Sequence, residues 1–183
     1  MNLKHLLLGT LALFVFFTAT AQEQVKKANS NVRTFTQKTW KLKEGDVAPI
    51  FTFKDSNGKE VSFKDFRGKY VFIEIWTTTC GSCIRQFPYL KQLEEDMKGK
   101  NIAFVSISIE KDWNTWQNML KKYDLKGHQW NVGDAKNFKA DYEISGLPAF
   151  IVLDKEGKIV YIRRTLHPSN PHTIKILSAL EGI

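Results

Sequence analysis

Apolar residues along this chain fall into three regimes. Leu6 to Phe17 is one nearly unbroken apolar stretch, and residues 22–40 are polar, lysine-bearing and without period. From Lys41 onward, short apolar runs alternate with Gly, Asn and Asp, the pattern of a folded domain. Within it, Tyr70 to Trp76 is apolar at all but one position, which predicts a strand covered on both faces of a sheet. Ile102 to Ile109 predicts a second strand and His128 to Val132 a short third. Phe51–Phe53 and Glu60–Phe63 flank Asn57-Gly58, which predicts a hairpin with a two-residue loop. Phe150–Leu153 and Lys158–Arg163 predict another hairpin, closed by the turn Asp154-Lys155-Glu156-Gly157.

Helical periods lie between these strands. Ile84, Phe87, Leu90, Leu93 and Met97 form one apolar stripe that ends at Gly99, and Pro88 inside it should kink the helix or reset its first turns. Trp113–Tyr123 predicts a helix capped by Asp112. Ala135–Tyr142 predicts a short helix carrying Phe138 and Tyr142. Thr173–Leu180 predicts a last one with Ser169 as its cap, Ile174, Leu177 and Leu180 facing inward, and Arg163 and Arg164 in the polar loop before it. Strands alternating with helices, followed by a hairpin and a terminal helix, predict an α/β domain. Its centre would be a mixed β-sheet flanked by helices on both faces.

Length and composition narrow the function classes. The 183 residues suffice for one domain with its own core, and a 25% charged, 43% hydrophobic make-up is that of a globular chain. The net charge of +8 is spread along the sequence rather than clustered, so nucleic-acid binding is not expected. Lys4 and His5 ahead of the apolar stretch, with Ala19-Thr20-Ala21 after it, fit a cleaved export signal. The stretch falls short of the roughly 20 apolar residues that span a bilayer. The expected organisation is a signal peptide over 1–21, a flexible leader over 22–40 and the domain over 41–183, with an uncleaved membrane anchor as the alternative. Export would place the domain in an oxidising compartment, the periplasm or beyond.

Cys80-Gly81-Ser82-Cys83 holds the only two cysteines, directly after the most apolar strand. A loop this short stabilises a fold little, so the pair points to sulfur chemistry rather than stapling. A zinc site would need four ligands, and His128, His167 and His172 show no ligand spacing around the pair.

Trp76-Thr77-Thr78-Thr79-Cys80-Gly81-Ser82-Cys83, with Gly146-Leu147-Pro148 before the strand Phe150–Leu153, resembles the thioredoxin fold. Gly45-Asp46-Val47-Ala48-Pro49 and the segment Asp112–Asn131 resemble its exported TlpA/ResA-like branch, so the resemblance runs from Lys41 to the C-terminus. It implies a three-layer fold with an N-terminal β-hairpin and an inserted central segment. It implies a thiol–disulfide oxidoreductase in which Cys80 attacks a substrate disulfide and Cys83 resolves the mixed disulfide. Cys80 would sit at a helix N-terminus, where backbone N–H groups favour a thiolate. Glu74 would be the buried acid that takes the proton of Cys83. Pro148 would be cis, with Leu147 offering backbone groups to an extended substrate and Trp76 packed beside the site. No metal or organic cofactor is implied. The implied partners are protein disulfides or dithiols and a membrane protein that delivers electrons, and the chain is expected to be a monomer. Thr79, Ser82 and Gln86 depart from the tryptophan, proline and glutamate common at those places.

Alternatives remain at each residue. Glu74 could solvate a polar edge, Pro148 could be an ordinary turn proline and Trp76 plain core. Thr77-Thr78-Thr79-Cys80 contains the Thr-x-x-Cys of a peroxidase-like redoxin, although Ile73 stands where a proline would precede it. A polypeptide-binding module without turnover is the non-enzymatic alternative.

Overall fold

The computed structural model of the chain describes residues 41–133, 136–162 and 166–183. The expected signal peptide, the leader, Ala135 and the Arg163-Arg164 pair lie outside them. The described residues form strands β1 (Phe53–Asp55), β2 (Glu60–Val61), β3 (Tyr70–Trp76), β4 (Ile102–Ser108), β5 (His128–Asn131), β6 (Ala149–Leu153) and β7 (Ile159–Tyr161). Between them lie helices α1 (Gly81–Ile84), α2 (Phe87–Asp96), α3 (Trp113–Lys122), α4 (Phe138–Asp141) and α5 (Pro171–Ser178), and a 3-10 turn over Phe63–Phe66.

The strands make one mixed sheet in the order β2-β1-β5-β4-β3-β6-β7. β3 runs parallel to β4 and antiparallel to β6, and every β3 residue is buried. This is why the run from Tyr70 to Trp76 reads apolar throughout: both of its faces are covered. Val71, Ile73 and Ile75 point to one side and pack with Val105, Ile107, Trp130, Ile151 and Phe138 of α4. Tyr70 and Phe72 point to the other and meet Leu90 and Leu93 of α2 and Leu177 of α5. Trp76 extends that second face into a cluster with Cys83, Phe87, Trp116 and Leu120. Helices therefore cover both faces, as the pattern predicts.

The segment Gly45–Ala48 lies against the outer side of β7. Gly45 N donates to Ile159 O (2.8 Å), Ile159 N to Asp46 O (2.9 Å) and Ala48 N to Gly157 O (3.0 Å). A sheet edge with open N–H and C=O groups is thereby covered.

Several boundaries differ from the sequence reading, each for a local reason. The first hairpin starts at Phe53 rather than Phe51, because Phe51 packs edge-on to Phe138 instead of entering the sheet. Its loop is Ser56-Asn57-Gly58 rather than two residues: Lys54 faces Glu60, and Gly58 takes φ +83° with its N–H on Asp55 O (2.9 Å). Asp55 Oδ1 accepts from both Asn57 N and Lys59 N, which favours the longer loop. The predicted helix through Ile84 and Met97 divides at Arg85-Gln86. Pro88 has no N–H to give Ile84, four residues back, and serves instead in the first turn of α2. The cap of α5 is Asn170, not Ser169. The residue before Pro171 is held extended, and its side chain accepts from His172 N (3.0 Å).

Candidate active site

β3 ends at Trp76, and three threonines carry the chain to Cys80, the N-cap of α1. Cys80 and Cys83 form a disulfide (Sγ–Sγ 2.02 Å). Cys80 is partly exposed, whereas Cys83 is 0% exposed beneath it. Cys83 N donates to Cys80 Sγ (3.2 Å). Since α1 is a single turn, this local amide, rather than the summed dipole of a long helix, is what would hold negative charge on Cys80.

The parallel pairing of β3 and β4 sets Trp76 beside Ser108, so the residues following the two strands meet. There the Glu110 carboxylate accepts from the hydroxyls of Thr78 and Thr77 (3.4 Å for Thr77) and from the backbone of Lys111 (2.9 Å) and Asp112 (3.2 Å). These bonds, led by that from Thr78, hold its pKa below the usual carboxylate value. Glu110 thus ties the loop that presents Cys80 to the start of α3. The sequence reading missed it. Its signal was present, a charged residue just after a buried parallel strand, but only the strand pairing shows what it reaches.

Glu74 is 0% exposed. It lies between Phe72 and Trp76 on the same face of β3, the face Trp76 shares with Cys83. The polar-edge alternative is excluded by that burial. Its Oε2 accepts the Ser106 hydroxyl (2.9 Å), while Oε1 has no partner among the described residues. Burial pushes the Glu74 pKa up to about 8; Ser106 pulls it down and the charge of Glu94 adds to the rise. Glu94 itself, on α2, is pushed up to about 7 by its own burial, with Lys91 opposing.

Leu147-Pro148 is a cis peptide bond. Leu147 packs against the cluster of Trp76 and Cys83, and Ser82 Oγ bridges the two loops. It lies 3.3 Å from Cys80 Sγ and donates to Leu147 O at 3.4 Å. Pro148 is buried. Trp76 is wholly buried, edge-on to Phe87 at 5.1 Å, so a direct contact with substrate is not open to it; it backs Cys83 instead. Cys80, Cys83, Trp76 and Leu147 are thus brought together, with Glu74 one pleat below Trp76. A cavity of about 580 Å³ is lined by residues that flank Leu147-Pro148 in the chain, Ile144, Ser145, Gly146 and Ala149, with Ile151, Ile162 and others. Among the described residues no group of three His, Cys, Asp or Glu side chains could hold a metal ion.

Residues 43–177, which span the disulfide, the buried acid and the proline loop, match the family described as Redoxin. The chain belongs to the Redoxin family. Within that family it is TlpA/ResA-like. It is 33% identical over 122 residues to thiol-disulfide oxidoreductase ResA of Bacillus cereus, covering 66% of this chain and 69% of that one. Among solved structures, it is similar to a candidate thiol-disulfide oxidoreductase of Bacteroides vulgatus, with 45% identity and a TM-score of 0.65 over 73% of this chain and 89% of the other. It is also similar to the thioredoxin domain of a thiol-disulfide oxidoreductase from the same organism, with 29% identity and a TM-score of 0.68 over 75% and 96% of the two chains. Its similarity to thiol-disulfide oxidoreductases, together with a partly exposed Cys80 bonded to a buried Cys83, makes this chain a thiol–disulfide oxidoreductase.

Proposed function

We propose that this redoxin is an exported reductant of protein disulfides. Cys80 thiolate attacks one sulfur of a substrate disulfide and the departing substrate thiolate takes a proton. Cys83 then gives its proton to Glu74 and attacks Cys80 Sγ, which releases the second substrate sulfur and closes the Cys80–Cys83 disulfide. Two electrons pass to the substrate. The observation that carries this reading is the asymmetry of the pair, a reachable Cys80 held by the Cys83 amide above a sealed Cys83.

Glu74 fits the proton-acceptor role in its ionised form: burial and a lone hydroxyl partner make that carboxylate a strong base, and the share of it able to take the Cys83 proton grows as pH rises toward about 8. Leu147 docks the substrate chain by its backbone, as an added strand, and Pro148 backs that loop. The peroxidase alternative is disfavoured because the Thr77 hydroxyl turns to Glu110 rather than to the sulfur. Lys4, His5 and the apolar run to Phe17 support a cleaved signal peptide and a periplasmic site of action. A monomer is then recharged by a membrane protein that carries electrons outward.

Reduction of insulin disulfides with dithiothreitol as donor tests the reading. Cys80→Ser should abolish catalysis, and Cys83→Ser should accumulate a mixed disulfide with insulin. A Cys80→Ser protein that still turns over would overturn it. A reduction potential near about −270 mV supports a reductant, whereas one near about −120 mV would make the protein an oxidant.

A further inference from the structure

Ser82 stands where related proteins commonly carry a proline, and its hydroxyl has one proton and two candidate acceptors. One is Cys80 Sγ at 3.3 Å and the other is the Leu147 carbonyl at 3.4 Å. Among the described residues no other group donates to that carbonyl. In the disulfide form Cys80 Sγ is a weak, neutral acceptor that already takes the Cys83 amide, so the hydroxyl proton goes to Leu147. Two electrons and one proton convert the disulfide to a Cys80 thiolate and a Cys83 thiol. The thiolate is a charged acceptor, and hydrogen bonds to charged groups are roughly twice as strong as neutral ones. The single proton then turns to Cys80.

We propose that Ser82 is a redox-linked gate on substrate docking: its hydroxyl occupies one acceptor position of the Leu147 carbonyl in the disulfide form, so that an incoming N–H must compete with it, and frees that position, by turning to the Cys80 thiolate, in the dithiol form. This rests on Leu147 being the docking residue. An incoming extended chain needs that carbonyl for its own N–H. The reduced enzyme therefore accepts the chain, and closing the Cys80–Cys83 disulfide sends the hydroxyl back to compete for the same oxygen and expel the product. The gate has a direction, because it favours binding by the dithiol form, as a reductant requires. A proline at this position has no hydroxyl and could not act so.

The test uses the carboxymethylated B chain of insulin, an extended polypeptide with no exchangeable sulfur, as the probe. Its affinity is measured for the oxidised and the reduced full-length protein. The reduced form should bind about three- to tenfold more tightly, the range of one hydrogen bond. Ser82→Ala should bring the ratio close to one, and Ser82→Thr, which keeps the hydroxyl, should restore it. In parallel, the pH profile of iodoacetamide alkylation at Cys80 should shift to higher pH in Ser82→Ala, since the thiolate loses a donor. A ratio of one in the unmodified protein, no binding by either form, or an unchanged alkylation profile in Ser82→Ala overturns the gate. Insulin reduction is followed on the same samples. If the unmodified protein does not reduce insulin, the functional reading fails. If it does and the affinity ratio is unmoved by Ser82→Ala, only the gate fails.

Discussion

Cys80 and Cys83 differ by one turn of backbone and by nearly everything else that governs a thiol. Cys80 receives an amide hydrogen bond and contact with solvent, whereas Cys83 sits among Trp76, Phe87 and Trp116. Apolar burial holds a thiol neutral and a nearby donor favours the thiolate. Alkylation of the reduced protein at pH 7 should therefore label Cys80 at least tenfold faster than Cys83, as read by peptide mass mapping; comparable rates would contradict the asymmetry. Both cysteines and Glu74 were legible in the sequence, because a Cys-x-x-Cys and an acid inside an apolar run stand out against their neighbours. Ser82 and Glu110 were not legible as partners. Ser82 meets Leu147 across 65 residues and Thr78 meets Glu110 across 32, and no local pattern encodes which loops a fold will bring together.

At the scale of the element, loop and helix chemistry decides the boundaries. Two turns use the same device: Asp55 and Asp154 each accept two backbone N–H groups through Oδ1, two and four residues on, and each closes on a glycine of positive φ, Gly58 and Gly157. The repeated Asp-x-x-Gly-Lys was visible in the chain, but Asn57-Gly58 suggested a tighter loop than the aspartate permits. The start of α5 is similar, since both Ser169 and Asn170 are good caps and only the extended backbone forced by Pro171 selects between them. Asn170→Ala should cost about 1 kcal/mol of unfolding free energy and Ser169→Ala only a few tenths, measured by urea denaturation. Equal effects would place the cap elsewhere. Glu110 also works at this scale, by joining the ends of β3 and β4. Glu110→Gln keeps its shape but weakens bonds that favour the carboxylate, so insulin reduction should slow severalfold while Cys80 alkylation keeps its endpoint. An unchanged turnover rate would show that the Thr77–Thr78 loop holds itself.

The described domain is organised around a buried central strand, and its mixed sheet with helices on both faces is what the alternation of strands and helices in the sequence predicts, whereas the strand order appears only in the fold. So does the edge cover by Gly45–Ala48, which no hydrophobic period announces because its backbone alone makes the contact. The same central strand carries a charge problem that the entire fold must bear. Glu74 has an ordinary carboxyl value of 4.5 once unfolded and about 8 in the folded protein. Between those values the folded state binds a proton that the unfolded state has released. Stability therefore falls as pH rises through this window, is highest below about pH 4.5 as far as this group decides, and levels off above about pH 8. At roughly 1.4 kcal/mol per unit the loss has an upper bound of about 5 kcal/mol. Glu94, raised to about 7, acts in the same direction, whereas His128, whose pKa burial lowers, acts in the opposite one. Comparing the oxidised protein with Glu74→Gln cancels these background groups. The variant should be the more stable by about 1 kcal/mol already at pH 5.5, one unit into this window, and by a few kcal/mol more at pH 8.5, where only the native chain must bury a carboxylate. Urea denaturation at the two pH values reads this directly, and parallel pH curves for the two proteins would mean that Glu74 ionises freely and is no proton acceptor held in reserve for Cys83.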